Sequence, residues 1–287
     1  MNKRTFLAVT IILSLTACSK EKEATSATEL VPINFSLKTL TTEIMPFSRA
    51  SSSSISTYFT TLEYFGYSGN RQIFKDCQIY NELNNDFGLI KTAAPTGTYY
   101  LGFFGIGEGV GNYKMSIGNI AGDNDYIEST GREIWYKEFK NYSITNSTSN
   151  IDVTMTRKTG RITLNITDAV PVHIGRVNIE ILYRSQYRLT DGVAKTMTST
   201  TYNTDIPIEN DKLSEFNFNC FPSTGSIVNL SIYDKNDVLL DQRHLSIEVF
   251  ENRKTVITGE LFNNVDSKEF CVIVSDDWGE DNIVYLE

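Results

Sequence analysis

The chain is 287 residues long, 40% hydrophobic and 21% charged, with a formal net charge of −9 at pH 7. That length suits two modest domains or one large β domain, and that apolar fraction supports packed cores. The acidic balance and the lack of any Lys/Arg cluster argue against nucleic acid as a partner, because phosphate binding requires such clusters; they argue equally against a polybasic hold on anionic lipid.

In chain order, Lys3 and Arg4 form a short positive segment ahead of an apolar run from Phe6 to Leu15, broken only by Thr10 and Ser14. About ten residues are too few to span a hydrocarbon core, so residues 1–17 read as a secretion signal. The string Leu15-Thr16-Ala17-Cys18 resembles the lipobox of bacterial lipoproteins. That resemblance makes Cys18 the expected lipidation site and the expected hold on an outer membrane, since stable anchoring takes more than one acyl chain and a lipobox cysteine normally receives several. The alternative is an ordinary secretory signal with an incidental cysteine. Residues 18–30 are polar and small, with no apolar face to pack, and are expected to form a disordered tether. The stretch Ser19-Lys20-Glu21-Lys22-Glu23 resembles the surface-export tag of Bacteroidetes lipoproteins, which points to surface display; the plainer reading is a solvated spacer. No later apolar run approaches the roughly eighteen residues of a membrane-spanning helix.

From residue 31 onward the period is two. Ile151, Val153 and Met155 alternate with Asp152 and Thr154; Ile162, Leu164 and Ile166 with Thr163 and Asn165; Val177, Ile179 and Ile181 with Asn178 and Glu180; Val228, Leu230 and Ile232 with Asn229 and Ser231. Each is the pattern of a half-buried strand, and the fifteen Tyr and sixteen Phe add β propensity. Turn signals such as Ser68-Gly69-Asn70, Asp191-Gly192 and Asp234-Lys235-Asn236-Asp237 separate the runs. Strands are expected at 33–39, 57–66, 72–80, 98–104, 136–144 and 150–156. A second set is expected at 161–168, 176–184, 202–207, 215–221, 226–233, 238–250, 255–262 and 269–275. Short, regularly spaced strands argue for an all-β chain of two tandem β-sandwiches, at 31–156 and 157–287. Residues 83–90 could hold one short helical turn.

Candidate chemistry is sparse. The glycines 102, 105, 107, 109 and 111 follow a strand as a phosphate loop would. The lysine, the hydroxyl and the following helix that such a loop needs are missing, and the run is expected to be a mobile surface loop or hairpin end. No nucleophile elbow, zinc-protease or nucleotide-binding motif is present, so no enzyme activity, catalytic residue, cofactor or metal is expected. His173 and His244 are the only histidines, too few for a zinc site. The acidic stretch 276–281 could hold calcium but lacks spaced oxygen ligands, and a charged turn explains it as well. After Cys18, three cysteines remain: Cys77, Cys220 and Cys271. Each sits in an apolar, β-like context and is expected to be a buried free thiol, against the alternative of a Cys220–Cys271 bridge. Trp135, Tyr136 and Trp278 could form a sugar-stacking platform, although large aromatics in sandwiches are more often core residues.

Several segments together carry a family likeness. They are the lipobox, Gly97-Thr98-Tyr99-Tyr100-Leu101-Gly102-Phe103, Ile134-Trp135-Tyr136-Lys137 leading to Asp152–Arg157, Gly160-Arg161-Ile162-Thr163-Leu164 with Asp168 and Pro171, and Glu251–Phe262. In these the chain resembles the fimbrillin superfamily of type V pili from Bacteroidetes, including its lipidated anchor and accessory subunits. The resemblance implies two transthyretin-like sandwiches and a non-enzymatic role in fimbria assembly and adhesion. The implied partners are other fimbrial subunits, engaged by strand exchange at the cell surface. Some fimbrillin precursors are cut after an arginine such as Arg49, which stands before Ala50 and a serine run in a stretch suited to a trypsin-like protease. A cut there would remove a first strand bearing Ile33, Phe35 and Leu37 on one face. The candidate donor is the C-terminal segment with Ile283 and Tyr285. The short chain and the charged tether lean towards an anchor or accessory subunit. The rival reading is a surface glycan-binding lipoprotein of a polysaccharide-uptake system.

Overall fold

The computed structural model describes residues 29–39, 55–83, 86–117, 125–262, 270–277 and 280–284. In the first half, chain order gives β1 (Leu30–Thr39), a 3-10 turn at Ile55–Thr57, β2 (Thr61–Ser68), β3 (Arg71–Ile79) and β4 (Leu89–Pro95). These are followed by β5 (Gly97–Gly109), β6 (Tyr113–Ser116), β7 (Tyr126–Ser129), β8 (Arg132–Ile144) and β9 (Asn150–Arg157). Seven of these strands pair in the order β3-β2-β5-β8-β9-β1-β4. The ladder between β8 and β9 is confined to Trp135↔Arg157 and Tyr136↔Thr156. There the sheet turns a corner and folds back on itself, so that Phe35 of β1 and Phe103 of β5 meet at 5.1 Å between ring centroids. The core between the layers holds Ile33, Phe35, Ile90, Val153 and Met155 from one side and Leu62, Leu101, Phe103 and Trp135 from the other.

The second half contributes β10 (Gly160–Ile166), β11 (Ile174–Arg188), β12 (Ala194–Ile206), β13 (Ile208–Glu209), β14 (Lys212–Leu213) and β15 (Phe216–Cys220). It continues through β16 (Ser223–Asp234), β17 (Leu239–Val249), β18 (Lys254–Gly259), β19 (Phe270–Asp277) and β20 (Glu280–Val284). A five-stranded sheet, β15-β10-β18-β19-β20, faces a six-stranded one, β17-β16-β11-β7-β6 with β12 on the other edge of β11. The alternating apolar positions meet between them: Ile162, Leu164 and Ile257 against Val177, Ile179, Ile181, Val228 and Leu230, all at 0–1% exposure. Their polar neighbours lie on the outward faces, which is the arrangement a period of two demands.

The two halves are stitched by a hairpin. β6 and β7 leave the first half and extend the second half's sheet, with Tyr126, Ile127 and Glu128 paired to Arg188, Tyr187 and Gln186. A third core fills the seam, where Phe65, Phe104, Ile134 and Tyr136 meet Tyr187, Leu189 and Phe221.

The structure overturns three expectations. Among the described residues of 83–90 no helical turn forms: 86–88 are a turn and β4 begins at Leu89, where pairing to β1 from Leu30↔Pro95 to Ser36↔Leu89 outweighs the weak local preference. The first three glycines of the run do not form a mobile loop, while Gly109 and Gly111 lie exposed at the end of β5 and in the bend after it. Gly102, Gly105 and Gly107 lie inside β5, which is buried from Leu101 to Gly107. A Cβ on Gly102 would stand 2.1 Å from Phe65 Cζ, and one on Gly105 2.5 Å from Phe59 Cδ1; glycine is there to admit an aromatic ring on each face of the strand. Cys77 is exposed rather than buried, because β3 is an edge strand whose central residues Lys75, Asp76 and Cys77 face solvent. Cys220, by contrast, is buried and free, so it makes no bridge to Cys271. Gly102→Ala is expected to force Phe65 aside and destabilise the protein by about 1–3 kcal/mol. A thermal midpoint lowered by several degrees would show it, and an unchanged midpoint would mean the ring has room to move.

Candidate functional site

The segment best placed for exchange is β1. It is an interior strand, parallel to β9 from Asn34↔Asn150 to Thr39↔Met155 and antiparallel to β4 on its other edge. Val31, Ile33, Phe35 and Leu37 point into the core, at 6%, 0%, 0% and 8% exposure. Phe35 packs between Phe103 and Phe74. On the opposite face Asn34 Nδ2 donates to Asn150 Oδ1 at 3.1 Å. Two further backbone bonds, Asn34 N to Ser149 O and Leu37 N to Gly88 O, seat the strand at its neighbouring loops. Burial of each large apolar side chain is worth about 1.5–3 kcal/mol. Four of them amount to roughly 6–12 kcal/mol, comparable to the whole stability of a typical domain, ~5–15 kcal/mol. Without β1, β9 and β4 would each present an unpaired edge to a slot lined with apolar side chains, the arrangement that accepts an added strand.

Behind this site lies a buried polar junction that was not anticipated from the sequence. Glu133 of β8 is 5% exposed. Its carboxylate accepts from Arg161 Nη2 at 2.5 Å and pairs with Arg157 Nε at 3.4 Å. Arg161 also donates to Asn219 Oδ1, and the Asn219 amide donates in turn to the carbonyls of Gly131 and Glu108. Arg157 reaches Asn252 Oδ1, and its guanidinium lies 4.6 Å from the Trp135 ring. Side chains from β8, β9, β10 and β15 therefore converge on one carboxylate at the seam. The available signal was a glutamate set directly before the apolar run Ile134-Trp135-Tyr136.

The residues expected to act are distributed as follows. Cys18, Arg49, Ala50 and Tyr285, like the signal segment, lie outside the described residues, as does Trp278. Ile283 lies in β20, the outermost strand of its sheet, paired backbone to backbone with Ile273 of β19. Trp135 is 1% exposed and belongs to the core, so it offers no sugar-stacking face. Neither described thiol is activated as a nucleophile: burial pushes Cys220 up to about 12, and burial with the nearby Glu63 and Asp76 charges raises Cys77. Among the described residues no three His, Cys, Asp or Glu side chains gather as a metal site.

No protein-family model matches the sequence, and no curated protein does. Solved structures do. The chain is similar to a protein from Bacteroides thetaiotaomicron described as a candidate for polysaccharide binding (TM-score 0.57, 9% identity, covering 90% of this chain and 98% of that one). It is similar to a candidate adhesin from the same species (TM-score 0.55, 12% identity, 90% and 98%). At a lower TM-score it is similar to the fimbrial anchor protein Mfa2 of Porphyromonas gingivalis (TM-score 0.49, 12% identity, 90% and 100%). At such identities the likeness is one of fold, and it bears out the all-β sandwich architecture expected from the fimbrillin resemblance.

Proposed function

We propose that this chain is a non-enzymatic, lipid-anchored surface protein that serves as an anchor or accessory subunit of a fimbria and joins other subunits by strand exchange. The observation that carries this reading is the seat of β1: an interior strand, laddered on both edges, with four apolar side chains plugged into a core whose other wall is complete. The fold shared with a Bacteroides protein described as a candidate adhesin supports it. So do the lipobox at Cys18 and the arginine at position 49, between β1 and the rest of the chain. The rival reading as a glycan-uptake lipoprotein loses its Trp135–Tyr136 platform to the core, since Tyr136 is itself only 4% exposed.

Two measurements test the proposal. Cys18→Ser is expected to release the protein from membranes, because no acyl chain would then hold it; a variant that still sediments with membranes after a high-salt wash would refute lipid anchoring. Mass spectrometry of the protein from its native membrane is expected to find an acylated Cys18 on an otherwise intact chain. A mature N-terminus at Ala50 would instead make it a polymerising subunit and end the anchor assignment.

A further inference from the structure

Thr39, the last residue of β1, and Ile55, the first of the 3-10 turn, are joined by the fifteen residues 40–54. The two elements so joined are neighbours: β1 and the turn approach within 8 Å between Cα atoms. They meet at Gly88. Its carbonyl accepts from Leu37 N at 3.1 Å, and a Cβ on it would stand 2.9 Å from Ile55 Cγ2. About two to six residues commonly close such a gap. Fifteen residues at ~3.3 Å each reach roughly 50 Å, farther than the ~30 Å diameter of a small domain. Because the entropy of closure grows only logarithmically with length, the surplus is tolerated when β1 fills its own slot, and it gives the strand enough reach to fill another.

The slot selects its occupant. It takes a strand parallel to β9 and antiparallel to β4, with apolar side chains where Val31, Ile33, Phe35 and Leu37 stand. One of these must be a ring that fits between Phe74 and Phe103, and the outer face must offer an amide opposite Asn150. A second copy of this chain meets every one of these requirements with its own β1. The wall of the slot is also held without β1. Gly88 N donates to Gln78 Oε1 at 2.9 Å, and Gln78 Nε2 donates to the Leu89 carbonyl at 3.0 Å, so a side chain of β3 grips the start of β4 as a neighbouring strand would. We infer that the partner this slot is fitted for is a second copy of the chain, and that two copies exchange β1 reciprocally, each strand crossing into the other's slot on its 40–54 link. This rests on the strand-exchange reading proposed above and names its partner. All contacts of β1 recur in the exchanged pair, so concentration sets the balance. A link of this length presents a copy's own strand at an effective concentration on the order of millimolar, and the exchanged dimer gains as the local concentration of copies approaches that value.

The test uses the chain from residue 18 onward, with Cys18→Ser and Cys77→Ser to remove the lipid and the exposed thiol. The side chains of Asn34 and Asn150 meet on the outer face of β1 and β9, a placement that two cysteines can bridge. A chain carrying Asn34→Cys and a second chain carrying Asn150→Cys are mixed, unfolded, refolded together at rising concentration and oxidised. A disulfide between the two chains, located by mass spectrometry of its peptides, is expected, and its yield should rise with concentration. An excess of free Leu30–Thr39 peptide should lower that yield at least about tenfold by occupying the slots. The chain without either new cysteine should show a dimer by sedimentation over the same range, so the result does not depend on how the variants fold. A chain that captures the peptide but gives neither disulfide-linked pair nor dimer up to millimolar concentration keeps strand exchange and overturns the second copy as its partner. A chain that does none of these overturns both. A linked pair whose yield ignores the peptide overturns the inference too, because β1 is then not the segment exchanged.

Discussion

A chain shortened to begin after Thr39 is expected to lose its folded first half, and a synthetic peptide with the sequence of Leu30–Thr39 is expected to restore it. The loss follows from magnitude: the four inward side chains of β1 represent roughly 6–12 kcal/mol of burial, and removal also unpairs backbone on both β9 and β4. Near-ultraviolet circular dichroism and the fluorescence of Trp135, which is buried in the same core, report the change. The peptide must keep its register, because a slip by one residue would place Pro32, Asn34 and Ser36 in the core and expel Ile33, Phe35 and Leu37. A peptide carrying Phe35→Ala gives up about 3–5 kcal/mol and should bind at least a hundredfold more weakly. A shortened protein that unfolds with the full-length midpoint and cooperativity would show that β1 is dispensable, and would leave strand exchange without its physical ground.

The strands legible in the sequence are those with one wet face. β10, β11 and β16 alternate apolar and polar residues over most of their length, and the expected strands at 161–168, 176–184 and 226–233 fall on them. The inward set Ile33, Phe35 and Leu37 of β1 was equally legible, for the same reason. What periodicity cannot convey is who a strand's neighbours are. Nothing local says that β1 lies parallel to β9, more than a hundred residues away, or that it is interior rather than at an edge. β4 escaped notice because Lys91-Thr92-Ala93-Ala94-Pro95 has little β propensity and owes its conformation to β1. β6 and β7 are four residues each, too short to establish a period, and their membership of the second half's sheet is a tertiary fact. The glycines of β5 misled for a physical reason. Glycine normally marks freedom of the backbone, whereas here it marks the close approach of aromatic rings on both faces. The pair Trp135 and Tyr136, readable in the sequence as a stacking platform, packs inward instead, because periodicity does not say which face of a strand meets a second layer.

Glu133→Gln is expected to destabilise the protein by about 3–5 kcal/mol, the cost of breaking a buried ion pair from one side. The amide keeps the shape of the carboxylate but leaves two largely buried guanidinium groups, Arg157 and Arg161, without the charge that both share. Because those arginines end β9 and begin β10, the damage should concentrate at the seam. Chemical denaturation followed by Trp135 fluorescence should give a lower midpoint, and limited proteolysis should cut between the halves near Lys158 and Thr159, whose backbone and hydroxyl now bond to Ile134. Replacing the triad as a whole, with Glu133→Leu, Arg157→Met and Arg161→Leu, should recover most of the loss, since well-packed apolar residues can substitute for a buried ionic cluster that is removed entire. If the triple variant is as unstable as Glu133→Gln, the cluster's value lies in its hydrogen bonds to Asn219 and Asn252 rather than in charge balance. If Glu133→Gln costs less than about 1 kcal/mol, water or relaxation must reach the two arginines, and the seam is held by the β6–β7 hairpin and the aromatic core around Tyr136, Tyr187 and Phe221.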